Sequence, residues 1–103
     1  MIDLNQIASR AHDIAKKRSY PYSDTRLEPL LKYCAGETVE ASFASSMYEK
    51  EHSDLDRELL KGELADIMMC VLIACSELDV DAEEILQECL SKNEKRIRMK
   101  AKK

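Results

Sequence analysis

The sequence predicts an all-α fold, a single four-helix bundle over residues 1–103 that homo-oligomerisation completes. Three observations lead there. Only two Gly and two Pro occur, with both Pro before residue 30, so little punctuates the chain from Leu30 onward and an all-β fold with many tight turns is excluded. Apolar residues recur at the three-and-four spacing of helix faces. Capping residues stand where those periodic stretches begin. At 103 residues one core is normal, and 45% apolar with 35% charged residues suits a packed domain rather than a disordered chain.

Ile2 to about Lys17 is the first helix, because Leu4, Ile7, Ala8, Ala11, Ile14 and Ala15 share one face. Ser19 to Asp24, with Tyr20-Pro21-Tyr22, is the connection. A second helix begins between Asp24 and Pro29, where Pro suits a first turn, and runs to about Glu49. Ser53 followed by Asp56 resembles a capping box and opens a third helix, Asp54 to Leu78; Asp81 with Glu84 repeats the device for a fourth. That fourth helix ends in a basic tail from about residue 97.

The third helix carries a stripe of Leu60, Leu64, Ile67, Val71, Ala74 and Leu78, yet from Ile67 to Cys75 every face is apolar. Such a helix must be enclosed, and four helices of one small chain enclose it poorly, so a homodimer or homotetramer is expected. The same run is nine residues long, whereas a bilayer span needs ~20, so no membrane contact is expected. The start, Met1-Ile2-Asp3-Leu4-Asn5, lacks the pattern of a secretion signal, which points to the cytoplasm. Cys34, Cys70, Cys75 and Cys89 have no C-x-x-C spacing and apolar neighbours, and read as buried free thiols. His12 and His52 stand apart in polar sequence and form no metal cluster.

The chemistry lies in acidic pairs. Glu37 and Glu40 are three apart on the second helix, and Glu63 and Asp66 three apart on the third, so each pair shares one helix face. Opposed across a hairpin, they would converge four oxygen donors that repel unless protons or a cation neutralise them; a hard ion such as Mg2+ suits all-oxygen ligands. Acidic pairs at this spacing also arise by chance in a chain with 20 acidic residues, so position carries more weight than spacing. Asp66 opens the apolar run, and no Lys or Arg lies between Glu63 and Glu84 to pair with it, which predicts a buried, functional carboxylate. The only glycines, Gly36 and Gly62, each precede one pair; mid-helix Gly costs about 1 kcal/mol relative to Ala, so close helix approach or room for a ligand is expected.

Glu37-Thr38-Val39-Glu40 and Glu63-Leu64-Ala65-Asp66, with 22 residues between them, resemble the E-x-x-E and E-x-x-D signature of the MazG-like, all-helical nucleoside triphosphate pyrophosphohydrolases. The similarity runs from about Leu27 to Arg98 and takes in Asp66-Ile67-Met68, Leu78 to Glu84, Lys92-Asn93 and Arg96. The resemblance implies magnesium-dependent cleavage of a (d)NTP into (d)NMP and pyrophosphate, with Mn2+ able to substitute. It implies Glu37, Glu40, Glu63 and Asp66 as metal ligands, Glu37 or Glu40 as the catalytic group that orients or deprotonates water, and Lys92, Asn93 and Arg96 as holders of the phosphates. Ala35-Gly36 stands before Glu37 where many members carry another glutamate. Phosphoribosyl-ATP pyrophosphohydrolase shares the same helical plan and is the alternative within the class.

A different class of reading rests on residues 92–103, which hold seven basic residues and one acid and leave the remainder of a chain of net charge −4 strongly acidic. It is a non-catalytic helical module that binds nucleic acid or another protein. Basic residues at a helix C-terminus are favoured by the helix dipole alone, so nucleic acid is the disfavoured partner.

Overall fold

Backbone amides at the start of a helix need acceptors, and the sequence supplies them at the observed boundaries. The computed structural model describes residues 3–18 and 27–101, which form α1 (Leu4–Arg18), α2 (Leu27–Glu51), α3 (Asp54–Leu78) and α4 (Ala82–Ala101). Asp3 caps α1 by accepting the Asn5 N–H at 2.9 Å, and the described helix starts at Leu4. Ile2, the Ser19–Asp24 connection, Lys102 and Lys103 lie outside the described residues. Ser53 accepts the Asp56 N–H at 3.1 Å and donates its hydroxyl to the Asp56 carboxylate at 2.7 Å. Asp81 accepts the Glu84 N–H at 3.0 Å. α3 ends at Asp79, which takes a left-handed conformation (φ 55°) as its N–H and that of Val80 close back on Ser76 and Cys75 carbonyls. The basic run is helical through Arg98 and Lys100.

α2 and α3 are joined by His52 and Ser53 and pack against each other along their length, α1 packs on α3, and the first turn of α4 leans on α1. The seam of the α2–α3 hairpin is built from Leu30, Cys34, Glu37, Ala41 and Tyr48 facing Leu60, Glu63, Ile67, Cys70 and Ala74, all buried or half-buried. This corrects half of the expected α3 stripe: Leu60, Ile67 and Ala74 turn inward, but Leu64, Val71 and Leu78 are about half exposed, and Glu63, Cys70 and Ile73 are turned inward instead. Where every face is apolar, periodicity cannot choose which one turns inward. The core, Ala11, Ala15, Leu30, Ile73 and Ala74 with Leu27 against it, is mostly small residues that let helices come close.

His12 does not stand alone. Its Nδ1 meets Ser76 Oγ at 2.9 Å and its Nε2 meets Glu77 at 3.0 Å, a polar clamp between α1 and α3. All four cysteines are free, with Cys70 and Cys75 buried and Cys34 half-buried; Cys89 is exposed, against expectation, because α4 leaves the body. Every residue from Glu83 to Lys100 is exposed. The radius of gyration is 16.5 Å, where a compact chain of this length has ~13 Å. Among the described residues no helix is long and apolar enough to cross a membrane.

Candidate metal centre

Two carboxylates occupy seam positions that an apolar residue would normally fill. Glu37 follows Leu30 and Cys34 on the inward face of α2 and is only 7% exposed; Glu63 follows Leu60 on the inward face of α3 and is half-buried. Each lies one turn from an exposed acidic partner, Glu40 and Asp66 respectively. One carboxylate oxygen from each of Glu37, Glu63 and Asp66 lies within 4.8 Å of the others. Oxygens around an octahedral magnesium at ~2.1 Å are ~3 to 4.2 Å apart, so small side-chain rotations bring this set to ligating distance.

Electrostatics mark the same place. The Glu63 carboxyl is pushed above its ordinary range, first by burial, then by a hydrogen bond with Glu37 and the negative charges of Glu40 and Glu37. Glu37 Oε2 and Glu63 Oε2 are both buried and have no hydrogen-bond partner among the described residues. A buried carboxylate oxygen with no donor is costly, and among the described residues no Lys or Arg forms an ion pair with any of the four acids. The donors are hard oxygens, closely spaced and electrostatically unsatisfied, which fits a small divalent cation.

The chain thus brings Glu37, Glu63 and Asp66 together, with Glu40 close enough to bear on Glu63. Asp66 is not buried as expected: it sits on the outward side of α3, and Glu37 is the carboxylate that burial singles out. That signal was present in the alternation Leu30, Cys34, Glu37, Ala41, which places an acid on an apolar stripe. Gly36 and Gly62 do not mark close approach within the chain, since a Cβ at either position would meet nothing within 4 Å. Lys92, Asn93 and Arg96 are exposed on α4, and among the described residues they are not brought to the carboxylates; after its first turn, which leans on α1, α4 leaves the body.

Comparison with known proteins gives one match. The sequence profile of the family described as phosphoribosyl-ATP pyrophosphohydrolase matches residues 3–93, which covers α1 to α3, the first part of α4 and all four acids. Neither the curated proteins nor the solved structures returned a match.

Proposed function

Because this chain belongs to the phosphoribosyl-ATP pyrophosphohydrolase family, we propose that it hydrolyses a nucleoside triphosphate chain between its α and β phosphates, with a divalent cation held by Glu37, Glu63 and Asp66. The observation that carries this reading is the pair of buried, unpartnered oxygens on Glu37 and Glu63. Family membership reverses the order given by the motifs: phosphoribosyl-ATP becomes the first substrate, and unmodified (d)NTPs the second.

Mg2+, or Mn2+ in its place, would supply positive charge against the phosphate oxygens and against the carboxylates themselves. Glu37 and Glu63 are fixed by two packed helices, so their oxygens are positioned before substrate arrives. Asp66 closes the set from the solvent side. Glu40, exposed and beside Glu63, is the carboxylate that would take the proton of the attacking water. The water O–H bond breaks, a new P–O bond forms, the bridging P–O bond breaks, and pyrophosphate leaves with its electron pair. The uncovered apolar faces of α2, α3 and α4 support a homodimer or homotetramer as the working form.

Pyrophosphate release from phosphoribosyl-ATP and from a panel of ribo- and deoxyribonucleoside triphosphates, with magnesium or with chelator, tests the proposal. Magnesium-dependent release that is fastest on phosphoribosyl-ATP is expected. Faster turnover of one (d)NTP would make the second substrate reading the correct one, and no release from any of them would refute the activity.

A further inference from the structure

The seam that carries the carboxylates also carries two thiols, and they fall in one layer of it. Leu30 of α2 packs in one cluster with Ile73 and Ala74 of α3, and Glu37 gathers with Glu63 and Asp66. Cys34 lies one turn after Leu30 and one turn before Glu37, while Cys70 lies one turn after Asp66 and one turn before Ala74. Both are on inward faces, Cys34 half-buried and Cys70 fully buried, so the antiparallel packing of α2 on α3 sets them opposite each other. Packed helix axes are ~8–10 Å apart and Cα atoms stand ~2.3 Å off each axis, so directly facing Cα atoms are roughly 3.5–5.5 Å apart. A disulfide asks for ~4.4–6.8 Å, so a bridge needs little movement of either helix. The remaining thiols lie elsewhere: Cys75 is five residues on from Cys70, well round α3, and Cys89 is exposed on α4.

We propose that Cys34 and Cys70 form a peroxide-sensitive modification site, a dithiol that closes into a disulfide and locks the α2–α3 hairpin beside its carboxylates. Cys34, half-buried, is the sulfur that peroxide reaches. Its thiolate attacks a peroxide oxygen, the O–O bond breaks, one water leaves and Cys34 becomes a sulfenic acid. The Cys70 sulfur then attacks the Cys34 sulfur, the S–O bond breaks and a second water leaves. The two thiols give up two electrons, which the peroxide takes, and both thiol protons end in the waters. Complete burial shields Cys70 from the peroxide itself, so it resolves the sulfenic acid rather than forming one. The bridge stiffens the hairpin without drawing Glu37 away from Glu63, and it involves no nucleotide, so it stands apart from the pyrophosphohydrolase reading.

The test uses Cys89→Ser protein, which lacks the exposed thiol that would otherwise join chains. Hydrogen peroxide, then alkylation and digestion without reductant, should give peptides joined through Cys34 and Cys70 within one chain, with Cys75 alone left as a thiol. Tm should rise by roughly 10–20 °C, because the bridge closes a long loop of the unfolded chain, and dithiothreitol should reverse the rise. A bond through Cys75, no bond within the chain, or a bond without a rise in Tm would overturn the proposal. Cys34→Ser, added at the half-buried position, should abolish both the cross-link and the rise, and a rise that persists there would equally overturn it. Manganese titration separates a lock from a disruption of the site: oxidised protein should bind Mn2+ within about threefold of the reduced protein's affinity. Loss of binding on oxidation alone would show that the bridge distorts the hairpin and does not lock it. A cross-link and a Tm rise in a protein that binds no Mn2+ in either form would confirm the dithiol and sink the cation site instead.

Discussion

Glu37→Met should make the metal-free protein more stable while removing its activity. Glu37 is 7% exposed and has one carboxylate oxygen buried without a partner, a fault that costs about 1 to 3 kcal/mol in a folded protein. Met fills a similar volume and belongs on a stripe with Leu30, Cys34 and Ala41. Part of the gain is offset because Glu63 loses its hydrogen bond with Glu37, which leaves a net stabilisation of about 1 kcal/mol. For a domain of this size that is a rise in Tm of roughly 4–8 °C. Thermal melts in chelator read it directly. In magnesium the order should invert, because the wild type gains RT ln(1 + [L]/Kd), ~2.7 kcal/mol at a hundredfold excess over Kd, and the variant gains little. Turnover should fall on the order of 100-fold or more, since losing a direct ligand costs at least what losing its outer support costs. A variant that melts several degrees lower in chelator, and that still responds to magnesium like the wild type, would refute the reasoning.

Asp66→Asn should keep the fold and its stability in chelator within ~0.5 kcal/mol, because the residue is exposed, yet lose most turnover; wild-type rates would remove Asp66 from the site. Because Glu63 is raised above its ordinary 4.5, the folded metal-free chain keeps a proton that the unfolded chain has lost, so stability should fall as pH climbs from 4.5 through the raised value. Cation binding displaces that proton, so the Tm gain from magnesium should grow over the same interval, and a gain independent of pH would contradict the carboxyl pair. Asn5→Ala removes the bond from Asn5 Nδ2 to Asp81 (3.0 Å) and the acceptor of the Ala82 N–H (2.9 Å), which tie the start of α4 to α1. It should cost about 1–2 kcal/mol, and an unchanged melting curve would show that α4 is held otherwise.

Local chemistry was legible where a side chain answers a backbone need. Ser53 with Asp56 and Asp81 with Glu84 placed the starts of α3 and α4 because a cap is satisfied within three residues. Facing was legible only where polarity breaks the symmetry of a helix. Between Ile67 and Cys75 nothing does, so the expected stripe holds at Leu60, Ile67 and Ala74 but not at Leu64, Val71 and Leu78, and Asp66, expected to be buried, is exposed. Glu37 is the opposite case: a lone acid on an otherwise apolar stripe was there to be read, and its pairing with Glu40 drew attention away from it. The course of α4 was not legible: Leu86, Leu90 and Ile97 recur at the spacing of a packed helix face, yet among the described residues α4 meets the body only at its start, against α1.

A manganese titration followed by electron paramagnetic resonance tests whether Glu37, Glu63 and Asp66 hold a divalent cation. Wild-type protein should quench the free Mn2+ signal saturably, and magnesium should restore it. Glu37→Met and Glu63→Gln should leave the signal close to that of the free ion. Equal quenching by wild type and both variants, or none by the wild type at millimolar Mn2+, would contradict the account.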